Sequence, residues 1–288
     1  MKHLSSCIAI CMLILFSACK KKTTEPETTN PAIAQNFLDV NYGADVKQKF
    51  NIYLPANRTT SSTPVLFLIH GGAWRAGDRS DFNSLIDGFK ALFPNYAIVT
   101  LSYRLYNAGV NKFPIQEMDT KSGVEYVLNN RNTYQISDKF ALIGFSAGAH
   151  LSLLYAYKYG ASSFNPKAVV SFYGPTDFIK CYNTVSSPLV KSWLSDVAGN
   201  VQTADSLVYI AASPERFVTA GSAPTLLLHG DSDTIVPYQQ SALLNQKLTQ
   251  LNVPHTYKLY PNQGHGFTGT SSNDAILTLQ SFLNTHIQ

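Results

Sequence analysis

The stretch Lys139 to His150, KFALIGFSAGAH, runs a short apolar segment into Gly144-Phe145-Ser146-Ala147-Gly148, and residues of helical character continue from Ala147 to Tyr159. Strand, sharp turn and helix in that order lift the Ser146 hydroxyl clear of a sheet edge, the setting of a nucleophile elbow. The flanking glycines leave out side chains where strand and helix approach most closely, and they permit a positive φ. A Gly-x-Ser-x-Gly pentad also arises by chance, so its meaning rests on its surroundings.

Working outward, Val65–Ile69, Ala97–Leu101, Phe140–Ile143, Ala168–Phe172 and Thr225–Leu228 are almost wholly apolar. Strands of this kind, separated by helical stretches, indicate a parallel sheet covered on both faces. Apolar residues at three- and four-residue spacing predict helices over Asp81–Leu92, Ile115–Asn130, Ala147–Tyr159, Tyr238–Leu251 and Asn273–Thr285. Phe37–Tyr42 and the alternating Lys47–Leu54, joined by Gly43-Ala44-Asp45, read as a hairpin of half-exposed edge strands. With His255–Tyr260 as the last strand, Ser146 follows the fifth of eight, which is the order of the α/β-hydrolase fold. The expected architecture is α/β: an eight-stranded, mostly parallel sheet with helices on both faces.

That order constrains the chemistry. His70-Gly71-Gly72-Ala73-Trp74 follows the third strand, where this fold builds half of an oxyanion hole. Backbone N–H groups aimed at a developing oxyanion stabilise it without reorganising, and Gly72, Ala73 and Ala147 are the expected donors. Base and acid should follow the serine in the chain, which removes His70. His150 reads as a helix residue packed on the sheet, His229 closes a strand, His255 opens one and His286 lies near the C-terminus. His265, in the glycine-flanked loop Asn262 to Phe267, is the expected general base. The acid belongs in His229-Gly230-Asp231-Ser232-Asp233-Thr234-Ile235-Val236-Pro237, where spacing alone does not choose between Asp231 and Asp233.

Six segments together, HGGAW, Ser102-Tyr103-Arg104-Leu105, GFSAGAH, Tyr173-Gly174-Pro175, Ala212-Ser213-Pro214 and HGDSDTIVP, carry a family resemblance. From Phe37 onward the chain resembles the carboxylesterase branch of the α/β-hydrolases that includes hormone-sensitive-lipase-like, feruloyl and acetyl-xylan esterases. The resemblance implies Asp233 as the acid, in a D-x-x-V-P pattern, and leaves Asp231 a turn-capping role. The family often has glycine at Ala73; a backbone donor survives that change. An insertion at about 177–212, after the sixth strand, is where such enzymes carry a lid, so Phe178, Tyr182 and Trp193, with Trp74, are candidates for substrate contact. The implied reaction is hydrolysis of a carboxylic ester, short-acyl or aryl, on a small molecule or a glycan, with no metal or organic cofactor. An arylformamidase-like amidohydrolase shares the HGG-x-W segment, and a non-catalytic, lipid-anchored binding protein on the same fold is the alternative from a different class.

The N-terminus points to export. Lys2 precedes the apolar Ile8–Phe16, and Phe16-Ser17-Ala18-Cys19 resembles a bacterial lipobox, which makes residues 1–19 a lipoprotein-type signal and Cys19 the lipidated residue. The alternative is ordinary secretion. Residues 20–36 then form a flexible tether, beginning with the polar Lys20–Asn30, and 37–288 the catalytic domain, held at the cell envelope, periplasmic or outer-membrane, with the membrane as partner through its lipid. Cys7 and Cys11 would leave with the signal, so Cys181 has no disulfide partner if Cys19 is acylated. A formal net charge of +4 is too small to imply nucleic acid.

Overall fold

The computed structural model describes residues 29–160, 164–199 and 206–287; the expected signal, Cys19 and most of the tether lie outside them. Eight strands form one sheet in the order β1-β2-β4-β3-β5-β6-β7-β8. They are β1 (Gln35–Asn41), β2 (Lys49–Leu54), β3 (Val65–Ile69), β4 (Ala97–Leu101), β5 (Phe140–Phe145), β6 (Ala168–Phe172), β7 (Thr225–Gly230) and β8 (His255–Tyr260). β1 and β2 run antiparallel to their neighbours, and every pair from β4 across to β8 is parallel.

The helices are α1 (Ile86–Leu92), α2 (Ile115–Asn129), α3 (Arg131–Tyr134), α4 (Ala147–Leu154), α5 (Phe178–Thr184), α6 (Pro188–Ala198), α7 (Ser206–Ala211), α8 (Gln239–Gln250) and α9 (Gly269–His286). The central strands are apolar throughout because both faces are covered. On one face Val65, Phe67 and Ile69 pack with Val124 and Leu128 of α2, Leu151 and Leu154 of α4 and Leu244 and Leu248 of α8. On the other, Leu66 and Leu68 pack with Ile86 and Phe89 of α1 and Leu279 and Leu283 of α9. Among the described residues no helix is long and apolar enough to cross a membrane.

Four details differ from the sequence-based expectation. β2 is internal, with Phe50, Ile52 and Leu54 buried; β1 alone is the edge on that side. β1 starts at Gln35, two residues inside the expected tether, because the buried Arg58 guanidinium gathers the chain before it: it donates to Ile33 O (2.7 Å) and Gln35 Oε1 (2.6 Å). The helix expected over Asp81–Leu92 is broken into a 3-10 turn at Arg79–Phe82, capped by the Asp78 carboxylate, and α1. Beyond α4 the chain continues as a π-helical turn over Tyr155–Tyr159. The insertion after β6 is helical, with α5, α6 and α7, although residues 200–205 lie outside the described set.

Candidate active site

The turn from β5 into α4 places Ser146 at φ 54°, ψ −118°, a strained conformation for a residue with a side chain. Its N–H donates to Phe172 O (2.9 Å), which ties the turn to β6. Gly148 is dictated by approach: a Cβ there would lie 2.1 Å from Ile69 O and 2.4 Å from His70 O. The first turn of α4 therefore rests on the end of β3, and the loop after β3 arrives beside the serine.

That loop turns back at once. Gly72 O accepts the N–H groups of Arg75 (3.0 Å) and Ala76 (2.9 Å), and Gly72, Ala73 and Trp74 all have positive φ, at 97°, 50° and 61°. Among the described residues, the N–H groups of Gly72, Ala73 and Ala147 donate to nothing within the protein. Gly72 and Ala73 line the cavity over Ser146, and Ala147 begins α4 with the free donors of a helix N-terminus. The Ser102-Tyr103-Arg104 segment braces this loop from below. Tyr103 Oη donates to His70 O (3.0 Å) and its ring stacks on His70 at 4.2 Å, while Arg104 makes a two-pronged pair with the buried Asp119 (2.7 and 2.8 Å).

Ser146, His265 and Asp233 meet, from three separate loops. Ser146 Oγ lies 2.8 Å from His265 Nε2, and His265 Nδ1 lies 2.7 Å from Asp233 Oδ2. Asp233 Oδ1 accepts the N–H groups of Ile235 (2.8 Å) and Val236 (2.9 Å). Burial of this carboxyl works to raise its pKa, but hydrogen bonds from His229, His265 and Val236 N outweigh it and hold the group ionised well below the usual carboxylate range. Asp231 is exposed and serves the turn: its Oδ1 accepts Asn262 N (2.7 Å) and Ser232 Oγ (2.8 Å).

His229, which the sequence marks only as closing a strand, completes the surroundings of Asp233. Its Nε2 faces Val236 O (2.9 Å), which can only accept, so Nε2 carries the proton and also points it toward Asp233 Oδ2 (3.3 Å). Nδ1 then accepts from Ser241 Oγ (2.7 Å). The signal was present in the four-residue spacing of His229 and Asp233 across one turn, but it has no meaning until the turn's shape is known.

The cavity over this group measures about 560 Å³ and is walled by Phe145, Tyr173, Ile235, Arg75 and Trp193. Trp193 reaches it from α6, and Arg75 pairs with Asp196 on the same helix (2.5 Å). Of the other aromatic candidates for substrate contact, Phe178 and Tyr182 lie outside it, and Trp74 borders a small adjoining cavity that it shares with Ser146 and Trp193. Phe178 is completely buried because α5 turns it inward onto His150, with ring centres 4.5 Å apart. Tyr182 packs on Tyr209 at 6.1 Å, and Trp74, itself part of the loop after β3, is 4% exposed, its indole N–H donating to His150 Nδ1 (3.2 Å). His150 thus packs under the insertion and not only on the sheet.

The family model described as BD-FAE matches residues 50–248, more than half of the chain. The chain belongs to this family. The probable carboxylic ester hydrolase LipM of Mycobacterium tuberculosis is 30% identical over 72% of this chain and 50% of its own length. Esterase LipC of the same organism is 26% identical over 84% of this chain and 63% of its own. The chain therefore spans half to somewhat under two-thirds of these curated relatives. A solved truncated carbohydrate esterase from gut microbiota has the same fold, with a TM-score of 0.72 at 24% identity, covering 88% of this chain and 98% of that one. The fold is that of the α/β-hydrolases. In this BD-FAE member, residues 50–248 include Ser146 and Asp233 but stop short of His265, which the β8–α9 loop supplies.

Proposed function

We propose that the protein is a carboxylic ester hydrolase working through an acyl-enzyme on Ser146. The observation that carries the reading is the continuous chain from Ser146 Oγ through His265 to the ionised Asp233, at the floor of a cavity of about 560 Å³. Neutral His265 accepts the Ser146 proton at Nε2 while its Nδ1–H stays on Asp233, and Oγ attacks the carbonyl carbon. The N–H groups of Gly72, Ala73 and Ala147 receive the oxyanion; removing one such donor typically lowers kcat by about 10²–10³-fold. His265 then returns the proton to the departing alcohol, and a water, activated in the same way, releases the acid.

The similarity to a probable carboxylic ester hydrolase and an esterase supports the reaction class. The aromatic wall of Phe145, Tyr173 and Trp193 favours a short-acyl or aryl ester, on a small molecule or a glycan. The sequence Met1 to Cys19 supports export with a lipid on Cys19, which Cys19→Ala would release from membranes. The test of the reaction is hydrolysis of p-nitrophenyl acetate, butyrate and octanoate by wild type and Ser146→Ala. Turnover falling with chain length and abolished in the variant is expected. Folded protein inert toward all three esters but active on an aryl formamide would replace the reading with the amidohydrolase one.

A further inference from the structure

Two consecutive residues with side chains, Ala73 and Trp74, sit in the left-handed region at φ 50° and 61°. L-residues avoid that region, so the surroundings must hold them there. Trp74 is held at both ends: its carbonyl accepts Tyr106 N (2.8 Å), and its indole N–H donates to His150 Nδ1 (3.2 Å). Its ring meets His150 edge-on at 5.2 Å and Phe178 at 5.1 Å.

His150 is fully buried and has no role in the relay. Its Nε2 lies 2.6 Å from Ala212 O, so the proton is on Nε2 and Nδ1 is free to accept from Trp74; one tautomer satisfies both contacts. It stands one turn into α4, its own N–H donating to Ser146 O (3.1 Å), on the helix that starts at Ala147. A single imidazole therefore fastens the loop carrying the N–H of Ala73 to the helix carrying the N–H of Ala147. Two further contacts, Ala212 O and the face of Phe178, come from the two ends of the insertion, and the Phe113 ring lies 6.3 Å away on another side.

We infer that His150 is a positioning residue which, through the Trp74 indole, sets the spacing between the two halves of the oxyanion hole, and that the insertion after β6 holds it in place. This rests on the esterase reading above. A ground-state carbonyl tolerates loose donors, whereas the tetrahedral oxyanion needs both at hydrogen-bond distance, so losing the fastening acts on kcat and leaves KM nearly alone.

The experiment compares wild type with His150→Phe, which keeps ring volume but neither hydrogen bond, His150→Gln, which restores an acceptor and a donor, Trp74→Phe, which removes the indole N–H, and the Trp74→Phe/His150→Phe double variant. kcat and KM for p-nitrophenyl acetate, inhibition by a trifluoromethyl ketone and the rate of Ser146 labelling by a fluorophosphonate are measured on protein shown by circular dichroism to be folded. Expected for His150→Phe and Trp74→Phe is a fall in kcat of about 10- to 100-fold with KM within about threefold, and a matching loss of ketone affinity and labelling rate. The glutamine variant should recover most of this, and the double variant should be no worse than either single one. Folded Trp74→Phe with unchanged kcat, or a double variant showing the product of the single effects, would overturn the inference while the esterase reading stands. A wild type that neither hydrolyses ester nor labels at Ser146 refutes both.

Discussion

Replacing Asp233 by asparagine tests the proton relay with almost no change in size. Oδ1 of Asp233 accepts the N–H groups of Ile235 (2.8 Å) and Val236 (2.9 Å), so the asparagine carbonyl oxygen has to take that place; the reverse orientation would set an amide donor against two backbone donors. The amide nitrogen then falls where Oδ2 stands, 2.7 Å from His265 Nδ1 and 3.3 Å from His229 Nε2, facing two N–H groups. His265 escapes by moving its proton to Nε2. In that tautomer Nε2–H points at Ser146 Oγ, and nothing remains to take the serine's proton. The same exchange in a serine protease lowers kcat about 10⁴-fold, and the geometry here predicts a loss of that order, or ~5 kcal/mol of transition-state stabilisation. Asp233 does not line the cavity, so KM should stay within about threefold. Steady-state hydrolysis of p-nitrophenyl butyrate at neutral pH measures both. Asp231→Asn is the control: it keeps an acceptor for Asn262 N and should change kcat by no more than about threefold. An Asp233→Asn enzyme retaining more than about a tenth of wild-type kcat, or damage centred on Asp231, would refute the reasoning.

Stability should depend on pH through His150. Burial holds its pKa down at about 3 in the folded protein, against ~6.5 for a free imidazole. Between those values the unfolded chain binds the proton and the native one does not, so this stabilisation is complete above about pH 6.5 and lost as pH falls, up to roughly 4–5 kcal/mol by about pH 3. Urea unfolding at about pH 7 and about pH 5 should show a steeper decline for wild type than for His150→Gln; equal slopes would contradict the assignment. Gly148→Val places a Cβ 2.1 Å from Ile69 O and should destabilise by more than about 3 kcal/mol, whereas a midpoint within about 1 kcal/mol of wild type would mean β3 and α4 can part without penalty. Arg58→Ala strips donors from the carbonyls of Ile33, Pro55 and Tyr134; a loss of about 2–4 kcal/mol and faster protease cleavage before Phe37 are expected, and an unchanged cleavage rate would show that Arg58 does not hold that segment.

The sequence alone carried the features that depend on near neighbours. Apolar runs mark strands buried on both faces, so the extents of β3, β4 and β6 agree with the reading residue for residue; the half-exposed edge strand β8 agrees as well, although it is no apolar run. Ser146 between its glycines announces a turn because steric demand is local. The glycine-flanked His265 was reachable by chain order, and Asp233 only by family resemblance, since its distinction from Asp231 is a hydrogen bond to a loop 32 residues away. What the tertiary structure decided are contacts whose partners are remote: the Trp74–His150 bond spans 76 residues, His150 to Ala212 spans 62, and Arg75 meets Asp196 across 121. The inward turn of Phe178 and the cavity-facing position of Trp193 belong here too, because both are aromatic residues on short helices of one insertion. Which of them faces substrate depends on how those helices pack over α4 and the oxyanion loop, and a pattern along the chain does not encode that packing.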